Sequence, residues 1–192
     1  MDAVKQAVDE TQYLGFYIAG EEYAIGILGV REILEYDVIT KVPGTPPSIR
    51  GVINLRGSVV PVVDLAVKFG LPESAVTKRT CIVVVEAGLD GERTVLGVMA
   101  DAVSQVIDLA AGDIEPPPTF GTRVHMDYLR GMGKAGKKFI LILDIDRVLS
   151  ASELQAAATA SLEAAPPEGL EATEAEIVPD PSVGAAAEAA LR

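Results

Sequence analysis

Between residues 12 and 150 the chain is a succession of short apolar runs, each closed by Gly, Pro or charge within a few residues. Gln12–Ile18 alternates, with Tyr13, Gly15 and Tyr17 set against Leu14, Phe16 and Ile18, and Gly20–Glu21 supplies a turn before Glu22–Ile27. Val59–Val63, Cys81–Glu86, Thr94–Met99 and Phe139–Asp144 are β-branched or aliphatic, as strands prefer. Gly88–Gly91 between two of them reads as a hairpin loop. Only Asp64–Phe69 and Ile145–Leu149 carry helical spacing, over one or two turns each. A parallel α/β sheet needs longer crossover helices than these. The spacing therefore predicts a mainly β chain of small antiparallel barrels with short helices.

A faint internal repeat points the same way. Leu55-Arg56-Gly57, an apolar run and Val63-Asp64-Leu65 are echoed by Leu129-Arg130-Gly131, an apolar run and Leu143-Asp144-Ile145. Upstream, Ile25-Gly26-Ile27 is echoed by Leu96-Gly97-Val98. The offsets are 71 for Gly26 and Gly97, 74 for Arg56 and Arg130, and 80 for Asp64 and Asp144. Three matches in one order predict a duplicated unit of roughly 70–80 residues, with a subdomain boundary near residues 70–80.

Composition excludes several partner classes. The net charge of −12 argues against a nucleic-acid backbone or an anionic membrane as main partner. No apolar run approaches the roughly 20 residues that span a bilayer, so no membrane insertion is expected. Met1–Gln12 is polar and acidic, which predicts no signal peptide. Cys81 is the single cysteine, so no internal disulfide can form and a reducing cytoplasm is expected. Its setting, TCIVVVE, predicts a buried, inert thiol. The composition shifts at Ala151. Residues 151–192 are mostly Ala, Glu and Pro, with eight acidic residues against one basic. Pro166, Pro167, Pro179 and Pro181 interrupt any helix, so this acidic tail is expected to be largely disordered outside a 12–150 domain.

Sites for chemistry are few. Gly131–Lys138, GMGKAGKK, satisfies G-x-G-x-x-G and part of a P-loop, but Lys138 replaces the Mg²⁺-binding Ser or Thr. The residues after it, FILILDI, read as a strand where a phosphate site needs a helix N-terminus. A nucleotide-binding regulator is thus a minor alternative to a hairpin loop. His125 is the sole histidine, which excludes multi-His metal sites. Asp64 and Asp144 precede short helical turns and read as caps. The sequence asks for no cofactor, and no enzyme is expected.

Arg56 stands out, because IRGVINLRGSVVPVVDL is otherwise almost wholly apolar. Burying an unpaired guanidinium there would cost several kcal/mol, at least about 2. An exposed turn is its natural place, and its planar fork suits a partner's carboxylates. Val-Ile-Asn-Leu-Arg-Gly, Val-Val-Pro-Val-Val-Asp-Leu and Lys68-Phe69-Gly70 closely resemble the signature of the CheW family of bacterial chemotaxis coupling proteins. Glu22-Tyr23-Ala24-Ile25, Val30-Arg31-Glu32-Ile33 and Lys41-Val42-Pro43 agree in order, as do Leu96-Gly97-Val98, Tyr128-Leu129-Arg130-Gly131 and Ile142-Leu143-Asp144-Ile145. The likeness spans about residues 12–150. It implies two intertwined SH3-like β-barrel subdomains, and a cytoplasmic, non-catalytic adaptor at receptor arrays. Such an adaptor joins the cytoplasmic tips of methyl-accepting chemoreceptors to a CheA-type histidine kinase, in chemotaxis or in another circuit such as pilus motility. It also implies receptor contact at Ile27, Val30, Glu32 and Arg56, and kinase contact at Gly51. The residues leave plainer readings open: Ile27 and Val30 as core, Glu32 as a solvated charge, Gly51 as a backbone turn.

Overall fold

Short aliphatic and β-branched runs make about half of the described residues strand, alternating between half-buried and exposed along Val30–Glu35 but buried almost without break along Gln12–Ile18 and Ser58–Asp64. The computed structural model describes residues 12–89, 91–119, 121, 124–148, 152–153, 155–156 and 159. Its first half runs β1 (Gln12–Ile18), β2 (Glu21–Gly26), a 3-10 turn (Ile27–Gly29), β3 (Val30–Glu35), β4 (Ile49–Leu55), β5 (Ser58–Asp64) and α1 (Leu65–Lys68). The second runs β6 (Cys81–Leu89), β7 (Glu92–Ala100), β8 (Ala102–Asp108), a 3-10 turn (Ala111–Asp113), β9 (Ile114–Glu115), a 3-10 turn (Met126–Tyr128), β10 (Leu129–Ala135), β11 (Lys138–Leu143) and α2 (Ile145–Val148). The expected Gly88–Gly91 loop is tighter than predicted. β6 continues to Leu89, and Gly88 donates its N–H to Asp146 Oδ1 at 2.7 Å.

The strands form two sheets, β8-β1-β2-β11-β10-β9 and β3-β6-β7-β5-β4. Each sheet takes strands from both halves of the chain. Of the four joins between halves, β1 beside β8 and β3 beside β6 are antiparallel, and two are parallel, pairing Val62 with Gly97 where β5 runs beside β7, and Ile142 with Ala24 where β11 runs beside β2. The sequence predicts only antiparallel pairs, because hairpin patterns report neighbours in the chain and not the seam between two hairpins. Neither sheet closes into a barrel: among the described residues no ladder joins β3 to β4, or β8 to β9. Each nevertheless curls until its edges share a core. Leu34 of β3 packs in one cluster with Ile53 of β4, and Ile107 of β8 packs in another with Ile114 of β9. A third cluster, including Phe16, Tyr23, Val85 and Leu96, draws on both sheets and joins them. Burying each such side chain stabilises the fold by about 1.5–3 kcal/mol. Cys81 belongs to this cluster, and its burial pushes the thiol pKa up, as expected of an inert cysteine.

The repeat is present, but in a different register from the one its motifs predict. The hairpins β4–β5 and β10–β11 match at a constant spacing of 80: Ile49 faces Val63 as Leu129 faces Leu143, and Gly51 faces Val62 as Gly131 faces Ile142. Each carries one bulged residue, Arg50 in the first and Arg130 in the second. Arg130 is therefore the twin of Arg50, not of Arg56. Gly97 is the twin of Ala24, not of Gly26, since each sits beside the parallel seam opposite the twins Val62 and Ile142. Asp64 and Asp144 match as predicted. Arg-Gly occurs at both bulges and at the Arg56-Gly57 turn, which is why the triplets align at the wrong places.

Most of the expected disordered tail lies outside the described residues. Its start does not. Glu153 Oε2 lies 2.5 Å from Lys68 Nζ and its Oε1 accepts from Ser48 Oγ at 3.0 Å, with Lys68 and Glu153 side chains 13% and 14% exposed. Lys68 also stands over the Tyr128 ring, 5.4 Å from its centroid. Breaking a largely buried pair leaves a charge without its partner. Glu153→Ala, or truncation after Ser150, should lower unfolding free energy by about 1–3 kcal/mol in denaturant titrations, whereas truncation after Ala160 should leave it unchanged.

Candidate functional site

Arg56 and Gly57 form the two-residue turn between β4 and β5, with φ of 50° and 88°. Both values are left-handed, the geometry that matches the twist of a tight hairpin, and Gly57 takes it without strain. Asn54 Oδ1 accepts from Gly57 N–H at 2.9 Å and holds the turn. The turn projects Arg56 outward, 79% exposed, and its Nη2 donates to Glu32 Oε2 at 2.9 Å. Glu32 lies on β3, the opposite edge of the curled five-stranded sheet. An exposed pair of this kind contributes about 0–1 kcal/mol to stability. It sets the guanidinium over the edge strand with donors left over.

The other residues expected at this surface lie nearby in the chain. Ile27 opens the 3-10 turn and Val30 follows it; both are half-buried and pack against the central cluster, so each is partly core. Leu28 between them is 63% exposed. Sequence reading passed over Leu28, because a lone exposed leucine carries no periodic signal.

Gly51 is different. It is buried on β4 with φ of +144°, and a Cβ there would stand 2.2 Å from the Thr40 carbonyl oxygen. Thr40 and Val52 exchange backbone hydrogen bonds at 2.9 and 2.8 Å, clamping the two segments together. Gly51 thus shapes the Ile39–Thr40 segment beside the exposed Val38 and presents no face of its own.

Arg50 received no role from the sequence. Its Nη1 meets Glu73 Oε2 at 2.6 Å, its Nη2 donates to Ser74 O at 3.3 Å, and its Nε lies 3.8 Å from Asp64 Oδ2. Asp64 is fully buried and caps α1 as predicted, accepting from Ala66 N–H at 2.9 Å, with Ser74 N–H and Oγ at 3.0 and 3.1 Å completing its shell. This hydrogen bond and charge from Arg50 hold the Glu73 carboxyl below its ordinary value. Asp144 departs from its expected capping role and pairs with Arg147 at 3.4 Å.

The nucleotide alternative lacks its geometry. Gly131–Lys138 spans β10, a turn and the start of β11, with no helix after it, and a Cβ at Gly131 would meet Glu115 O at 2.8 Å. His125 is exposed, 3.2 Å from Asp127. Among the described residues no group of three His, Cys, Asp or Glu could hold a metal ion, and no helix is long and apolar enough to cross a membrane.

A family model described as CheW-like domain matches residues 12–153. Chemotaxis protein CheW of Klebsiella aerogenes is 38% identical over 143 residues, covering 74% of this chain and 84% of that protein. Protein FrzA of Myxococcus xanthus is 30% identical over 155 residues, covering 80% and 94%. Among solved structures, scaffolding protein TtCheW from Thermoanaerobacter tengcongensis aligns with a TM-score of 0.67 at 33% identity, over 75% of this chain and 90% of that one.

Two outcomes follow from this geometry. Gly51→Ala should cost about 3 kcal/mol of stability by denaturant unfolding, since both the backbone angle and the Thr40 carbonyl oppose a side chain. Because Glu73 is depressed in the folded state, its contribution is present above pH 4.5 and is lost as pH falls through the folded value. The stability gap between wild type and Glu73→Gln should therefore shrink to nothing on acidification.

Proposed function

The chain belongs to the CheW-like domain family, and from that premise we propose that it is a cytoplasmic, non-catalytic adaptor coupling chemoreceptor tips to a CheA-type histidine kinase. In this reading the two curled sheets are the two intertwined SH3-like barrels of the family, and residues beyond the Glu153 contact are a tail outside both binding surfaces. The receptor surface is Ile27, Val30, Glu32 and Arg56. The kinase surface lies around Gly51, which acts by shaping the Ile39–Thr40 segment.

The observation that carries the proposal is the Arg56–Glu32 pair. Two residues distant in sequence, both expected at the receptor surface, meet in the open at 2.9 Å, next to a turn whose Leu28 is exposed. A contact that adds so little to folding is free to serve recognition. A second reading keeps the adaptor and changes its circuit. It is favoured by the likeness to FrzA, which covers nearly the whole of that protein.

Arg56→Glu separates folding from coupling. Unfolding free energy should change by about 1 kcal/mol or less, and affinity for a kinase fragment should hold. Affinity for a chemoreceptor tip fragment should fall about tenfold or more, because the fork becomes a carboxylate facing Glu32. Equal receptor affinity in the two proteins would refute the receptor assignment.

A further inference from the structure

We infer that Arg130 reads a carboxylate on the receptor helix, at the rim of a cleft that extends the proposed receptor surface across the junction of the two halves; the inference rests on that receptor reading. The internal twinning carries it. Arg50 and Arg130 sit at the same bulge of twin hairpins, each just before a glycine pressed against a neighbouring backbone. Arg50 is 17% exposed and fully engaged by Glu73, Ser74 O and Asp64. Arg130 is exposed and, among the described residues, its side chain has no hydrogen bond or ion pair. The difference has a visible cause. Asp144, the twin of Asp64, is paired with Arg147, and Glu153, which stands 80 residues after the Glu73 that holds Arg50 most closely, is paired with Lys68. A bulge re-aims a side chain, and here it leaves a permanently charged fork with nothing to hold.

Arg130 borders a cleft of about 310 Å³ whose floor includes Ile25, Ile27, Val85 and Leu143, with Leu28 at its side. Ile27 makes the cleft continuous with the proposed receptor surface. The cleft also has three carboxylates, and each already has a donor. Glu86 lies 3.4 Å from Arg31 and 3.8 Å from Arg93, Asp144 is paired with Arg147, and Asp146 accepts from Gly88 N–H. Arg130 is thus the charged side chain lining the cleft that lacks any partner among the described residues, while Asp146, held by a neutral N–H, keeps its negative charge elsewhere in the lining. An amphipathic helix that puts apolar side chains onto this floor and an Asp or Glu at its rim satisfies both features. Arg130 then decides which helices bind well, and works by charge rather than by burial.

The test uses the full chain and a soluble chemoreceptor tip fragment from the same organism, with affinity measured against salt. Arg130→Ala should weaken binding about tenfold and flatten the salt dependence, and Arg130→Glu should weaken it further. Both should keep wild-type melting temperature and kinase-fragment affinity. Changing the facing receptor carboxylate to Lys should restore binding to Arg130→Glu alone. Wild-type receptor affinity and salt slope in both Arg130 variants, with the Arg56→Glu defect intact, would overturn the inference and leave the adaptor reading standing. Loss of kinase affinity instead would also overturn it. Failure of the wild-type chain to bind the fragment would remove both.

Discussion

Where β5 runs beside β7, three residue pairs carry one half of the chain onto the other: Val62 with Gly97, Val63 with Val98 and Asp64 with Met99. The approach is close, since a Cβ at Gly97 would stand 2.6 Å from Ile82 Cγ2. The last residue of this seam is Asp64, whose buried carboxylate also caps α1, anchors Ser74 and receives Arg50. A buried carboxylate is tolerable only with such a full set of donors. Fixing it therefore fixes the start of α1 and the loop after it. It also orients the bulge that precedes Gly51, and so the edge on which the proposed kinase surface depends.

Short strands were legible because β-branching and aliphatic runs are local signals, as was the Asp64 cap before α1. Arg56 was legible too, since a charge inside an apolar hairpin has few places to go. The parallel seams were not, because pairing between hairpins from different halves leaves no periodicity in either. The same limit hid the Arg56–Glu32 contact, as it depends on how far a sheet curls. Gly51 reads in sequence as a turn or a contact; only the carbonyl of Thr40 above it shows the steric reason for glycine. Asp144 failed as a cap because Arg147, one turn further on, supplies a competing charge at i+3.

Twinned halves with unequal charges explain how one fold offers distinct surfaces. The Arg56 turn of the first half has Gly136 as its counterpart, so the steered guanidinium exists once. The bulge arginine exists twice, bound inward in one half and outward in the other. Hairpins of the same register thus carry different chemistry where their neighbours pair differently.

Interleaving also governs how the chain can be made. The five-stranded sheet needs only residues 30–100, so it can assemble while the rest is still being synthesised. The six-stranded sheet unites β1 with β8, ending at residue 108, and β2 with β11, ending at residue 143, so the β2 edge of its first hairpin must wait for nearly the whole domain to emerge. During that interval Phe16, Tyr23 and Ile25 have no lasting cover, and β2 offers an open edge to any passing strand. Long-range pairing of this kind is slow. The β2 edge of the nascent β1–β2 hairpin is thus the place where a chain still being made is most open to a wrong partner.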